Sequence, residues 1–133
     1  MVGENHQSRP VYPATPGLST PGGHYSHVVV ANGFVFVSGQ LPTTATGEKL
    51  ADRPFDVQVE QVLSNLEQAL IAAGSGIEKL TQVRVYVDDI ANWPAFNEIY
   101  ARWAGQARPA RTVVPTGPLH FGVKVEIEAI AVL

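Results

Sequence analysis

An α+β fold with the element order ββαβαββ, two helices packed on one face of a mixed sheet, is what this sequence predicts. Three observations carry that expectation. β-branched and aromatic runs appear in five places, two apolar stripes recur at helical spacing, and 133 residues is the length of one domain rather than two.

The first 23 residues stand apart. They hold Pro10, Pro13, Pro16 and Pro21 with Gly3, Gly17, Gly22 and Gly23, a composition that resists both helix and ladder. The first ten or so of them are expected to be loose, and residues 24–133 to form the single folded domain. His27 to Ala31 and Phe34 to Val37 read as strands joined by Asn32-Gly33, a dipeptide suited to a tight hairpin because both turn residues need positive φ. Ser38-Gly39-Gln40-Leu41-Pro42 is expected to end the second strand, with a polar loop from Thr43 to Arg53. A helix opens at Asp56: Val59, Val62, Leu63, Leu66, Ala69, Leu70 and Ala73 form one stripe, and Gly74 stops it. From Leu80 to Val87 valines alternate with polar residues, the mark of a strand covered on one face. Asn92 is the expected cap of a second helix, with Pro94 in its first turn and Gly105 at its end. Arg111 to Val114 reads as a short strand, Pro115 to Gly122 as a loop, and Val123 to Leu133 as the last strand.

Composition narrows the function. Nine Lys plus Arg against twelve Asp plus Glu give a net charge of −3 and no basic run, which counts against capture of nucleic acid. Cysteine is absent, so disulfides, thiolate nucleophiles and Cys-ligated metals are ruled out. The start carries no apolar targeting segment and no window approaches a membrane span, so the expected location is the cytoplasm and no membrane partner is expected. Only 16% of residues are charged, against about 25% in an ordinary domain. A sheet with helices on one face must hide the other, and a trimer built around that face would do so.

Several side chains could carry chemistry. Arg111 stands at a strand start behind the stiff Arg108-Pro109-Ala110 segment, and its planar fork suits a carboxylate; an ordinary surface arginine fits the residues as well. Glu126 and Glu128 share one strand face, where they are either solvated or functional, and such a carboxylate could orient a water. His24 and His27 lack a third ligand for zinc, and no metal or cofactor is expected. His120 lies in a loop six residues before Glu126, placed to protonate a substrate or simply to face solvent. Tyr25 and Asn97 are polar groups on ordered segments, while Trp93 and Trp103 read as packing residues. No GxSxG elbow, P-loop or dinucleotide fingerprint is present.

Phe36-Val37-Ser38-Gly39-Gln40-Leu41-Pro42, Phe96-Asn97-Glu98-Ile99-Tyr100, Arg108-Pro109-Ala110-Arg111-Thr112 and Val125 to Val132 resemble, in order and spacing, the RidA (YjgF) family, over about Tyr25 to Leu133. The resemblance implies a chorismate-mutase-like fold, homotrimers with clefts between subunits, and cofactor-independent hydrolysis of enamines and imines such as 2-aminoacrylate and 2-iminopropanoate. It implies that Arg111 binds the substrate carboxylate and Glu126 positions the attacking water, with Tyr25 and Asn97 at the cleft and Ser38-Gly39 on its floor. Three departures border that cleft. Val113 stands where many members have cysteine, leaving only its backbone to contribute; Leu119-His120-Phe121-Gly122 replaces the usual Leu-Pro pair; His27 replaces a common glutamine. These bear on substrate choice, and a larger amino-diene acid such as 2-aminomuconate is an alternative. A non-catalytic carboxylate-binding protein and an endoribonuclease-type relative are two others, the net charge of −3 counting against the last.

Overall fold

The computed structural model describes residues 9–133. Strand β1 (Val28–Ala31) and β2 (Phe34–Gln40) form the hairpin, followed by helix α1 (Phe55–Ala72), β3 (Leu80–Val87), α2 (Trp93–Ala104), β4 (Ala110–Pro115) and β5 (Val125–Val132). The sheet order is β1-β2-β5-β3-β4. All neighbours are antiparallel except β3 and β4, which run parallel because α2 crosses over between them. This is the expected α+β architecture, with both helices on one face of a mixed five-stranded sheet.

The hairpin turn needs Asn32 at φ 52° and Gly33 at φ 80°, as its sequence requires. Helix α1 begins at Phe55, behind Pro54. It ends in a Schellman turn: Ser75 N–H donates to the Leu70 carbonyl at 2.8 Å and Gly74 N–H to Ile71 at 2.9 Å, with Gly74 at φ 85°. Its apolar stripe, from Val59 to Leu70, meets the inward residues Val35, Val83, Val85, Val125 and Ile127, all fully buried.

Two local expectations change. Strand β2 continues through Ser38 and Gly39 to Gln40, because an irregularity between Val37 and Gln40 absorbs the turn-like residues without leaving the sheet. Asn92 occupies the position before α2 but its side chain makes no capping bond. Asp89 supplies one instead, accepting from Ala91 N–H at 2.9 Å and opening the 3-10 turn Ile90–Asn92 that feeds the helix.

Upstream of β1, Val11 pairs with Val30 through two backbone bonds of 2.8 and 2.9 Å, and Leu18 joins the core. The looseness expected of the chain start falls mainly on residues 1–8, outside the described residues.

Two buried amides on α1 tie loops to this frame, a role the apolar stripe did not reveal. The Gln58 amide donates to the Ala51 and Arg53 carbonyls at 3.2 and 2.9 Å, and its Oε1 accepts from Lys124 N–H at 2.9 Å. Asn65 donates to the carbonyls of Leu41 and Thr43 at 3.0 and 2.9 Å. The loops entering β5 and leaving β2 are thereby fixed against α1.

The sheet face away from the helices is open. It carries Phe34 and Phe36, 47% and 42% exposed, beside Ile130, and further across it Arg84, Tyr86, Glu126 and Glu128.

Candidate active site

Strand alternation places Glu126 on the open face. It lies opposite Tyr86, while its neighbours Val125 and Ile127 are buried toward the helices. Around it Tyr25, Ser38, Gly39, His120 and Phe121 enclose a cavity of about 370 Å³. Gly39 is required there: a Cβ on it would overlap the Glu126 carboxylate, with the carboxyl carbon only 3.1 Å away. The Glu126 side chain accepts no hydrogen bond among the described residues. Burial pushes its pKa above the ordinary 4.5; the nearby His120 pulls it down and the Glu128 charge pushes it up.

The floor is held from below. Ser38 Oγ donates to the Ser26 carbonyl at 2.6 Å. His27, nearly buried, donates through Nε2 to the Ser19 carbonyl at 2.7 Å and so presents Nδ1 as an acceptor. Gln40 Nε2 donates to that Nδ1 at 3.2 Å and to the Ser38 carbonyl at 3.1 Å. On the rim, Phe121 sits at φ 61°, a left-handed conformation that bulky residues seldom adopt, with Lys49 Nζ 4.7 Å above its ring. Nothing in the sequence beyond the following glycine signals that turn. Next to Glu126, Glu128 is engaged: Tyr86 Oη donates to it and Arg84 lies 3.8 Å away.

Arg111 is elsewhere. It is the second residue of the edge strand β4, opposite Val83, whose side chain faces the helices, so Arg111 points to the side of the sheet that Glu126 does not. The two also differ by three register positions along β3, roughly 10 Å, and by two strand spacings across. The Arg111 guanidinium stacks 4.8 Å over the Tyr100 ring and 5.9 Å from that of Phe96, both on α2. Asn97, Tyr100, Arg108 and Arg111 share a cavity of about 470 Å³.

The structure thus gathers Tyr25, Ser38, Gly39 and His120 around Glu126, and Asn97 beside Arg111, but within one chain it keeps the two groups apart. Val113 lines neither cavity and packs half-buried against the core. Tyr100, which the sequence marked only as part of the Phe96 to Tyr100 segment, is the platform beneath Arg111. Among the described residues no group of three His, Cys, Asp or Glu side chains gathers to hold a metal, and no helix is long and apolar enough to cross a membrane.

The fold is thus a two-helix, mixed-sheet chain with a carboxyl on its open face that accepts no hydrogen bond among the described residues, and an arginine stacked on its second helix. Residues 18–133 match the family described as Endoribonuclease L-PSP, and the chain belongs to that family, the family of the RidA and Rid proteins. Reactive Intermediate Deaminase A of Arabidopsis thaliana, a chloroplastic protein, is 34% identical over 84% of this chain and 59% of its own length. The crystal structure of YyfA from Yersinia pestis, a protein of the conserved Rid family, superposes with a TM-score of 0.90 at 31% identity, covering 94% of this chain and all of that one. TdcF of E. coli, solved with bound serine, gives a TM-score of 0.86 at 31% identity over 92% of this chain and 98% of that one.

Proposed function

We propose that this protein is a cofactor-independent hydrolytic deaminase of reactive enamines and imines of the 2-aminoacrylate and 2-iminopropanoate type, releasing a 2-oxo acid and ammonia. The reading rests on one observation above all, the half-buried Glu126 carboxyl, free of hydrogen bonds among the described residues, in a cavity floored by Gly39. A relative named for deaminase activity and another holding an amino acid support the substrate class. Because Arg111 and Glu126 lie on opposite sides of one sheet, the reading places the cleft between copies, in a homotrimer that also covers Phe34 and Phe36.

The chemistry asks little of the protein. The enamine takes a proton at its terminal carbon and becomes an imine, whose carbon is already electrophilic. Arg111 grips the carboxylate through two parallel hydrogen bonds. Glu126 accepts a proton from water as the water oxygen bonds to the imine carbon. That proton passes to nitrogen, the C–N bond breaks, and ammonia leaves as the hydroxyl proton is lost to give the 2-oxo acid. A carboxyl held above its ordinary pKa suits both halves of this transfer.

Incubation with freshly generated 2-aminoacrylate tests the reading. The protein should accelerate ammonia and pyruvate release, Arg111→Ala should abolish the effect, and Arg111→Lys should fail badly because a point charge lacks the fork. Binding of small carboxylates without acceleration would mark a carboxylate-binding protein instead, and RNA cleavage surviving Arg111→Ala with Glu126→Ala would mark a nuclease.

A further inference from the structure

Arg111 does not occupy its cavity alone. Arg108, exposed and three residues earlier, lines the same concavity, and no acidic side chain does. Three other arginines are matched: Arg53 pairs with Glu48 and Asp52 at 3.0 and 2.8 Å, Arg84 with Glu128 at 3.8 Å, and Arg102 with Glu98 at 3.2 Å. Neither Arg108 nor Arg111 has a carboxylate partner among the described residues.

The surrounding groups do not substitute for one. Two of the carbonyls that end α2 are occupied: Ala101 and Ala104 accept from the N–H groups of Gly105 and Ala107, each at 3.1 Å. Tyr100, only 6% exposed, lines the cavity with its hydroxyl buried and unpartnered. A buried donor left without an acceptor costs stability unless a ligand oxygen meets it. The stiff Pro109 between the two arginines fixes how they are spread, with their Cα atoms at most about 10 Å apart.

We propose that this cavity takes two anionic groups, Arg111 holding the carboxylate beside the reacting carbon and Arg108 a second carboxylate at the far end, so that the preferred substrates are imines of dicarboxylic 2-amino acids. This deepens the deaminase reading and rests on Arg111 as the clamp. Two guanidiniums without an internal counter-charge are poorly matched to a single carboxylate, whereas a dicarboxylate neutralises both.

Imines generated from aspartate, glutamate, alanine and leucine would be compared for oxo-acid formation. In parallel, calorimetry would measure binding of two unreactive products, 2-oxoglutarate and pyruvate, to the assembled protein. The dicarboxylic compounds should be favoured by about tenfold or more in both assays. Arg108→Ala should collapse that ratio toward one, and Arg108→Lys should restore part of it. Equal use of mono- and dicarboxylic compounds, or an undiminished ratio in Arg108→Ala, would overturn the inference while leaving the deaminase intact. A preference for 2-oxoglutarate without turnover of any imine would uphold the dicarboxylate site and overturn the deaminase.

Discussion

Glu126 holds its proton more tightly in the folded chain than in the unfolded one, first because it is buried. A carboxyl raised in this way favours folding below its unfolded pKa, and that contribution is lost as pH rises through the folded value. Charged Glu126 therefore opposes folding at neutral pH, and Glu126→Gln should melt no lower than the parent while losing ~10²-fold or more in turnover. The acidic limb of the parent's pH–rate profile should lie above 4.5; Glu128→Gln, which removes a negative neighbour, should move it to lower pH and leave the plateau rate within a few-fold. Gly39→Ala would push a methyl group into the Glu126 carboxylate, the movable end of a side chain rather than backbone. Thermal melting should barely change while turnover falls by ~10²-fold, since small displacements of a reacting group are costly. Glu126, one of an acid pair on an apolar strand, and Arg111, behind a proline, stood out in the sequence as candidates. A solvated face and a surface arginine fitted those residues as well, and only the family resemblance gave them roles. The part Tyr100 plays was not legible, because an aromatic that supports a guanidinium reads like any other core aromatic.

Among the elements, those announced by local chemistry emerged as read: the Asn32-Gly33 hairpin, the α1 stripe and the alternation of β3 and β5. What failed had competing signals. Ser38-Gly39-Gln40 reads as a turn, yet pairing with β5 carries β2 through it; Asn92 resembles a cap, yet the 3-10 turn moves the capping role to Asp89. Sheet order was beyond local chemistry, because it depends on which apolar faces meet across long loops. Gly74 offers a test at this scale. A Cβ there meets open space, so the strain of φ 85° is the whole cost. Gly74→Ala should lower unfolding free energy by about 1 kcal/mol with kcat unchanged, read by denaturant titration.

For the whole molecule, the separation of Arg111 from Glu126 turns quaternary structure into a catalytic matter. Three copies of a 14.3 kDa chain should sediment at about 43 kDa. Arg111→Ala and Glu126→Gln proteins, each inactive alone, should regain about a quarter of parental activity when unfolded, mixed equally and reassembled, because one neighbour pair in four then joins an intact arginine to an intact glutamate. No recovery in assemblies of parental mass would place both residues in the same cleft of one chain, against the opposed faces seen here.

The central position of β5 carries a consequence for how the protein is made. Of the five strands, the ribosome produces this one last, yet it alone joins the β1-β2 pair to the β3-β4 pair. Until it emerges, the nascent chain is two half-sheets with no ladder between them, and its apolar faces wait for a partner. The same strand brings Glu126. Sheet closure and arrival of the proposed catalytic carboxyl are thus one event in synthesis, so a chain stalled before Val125 has neither a complete sheet nor a reactive site.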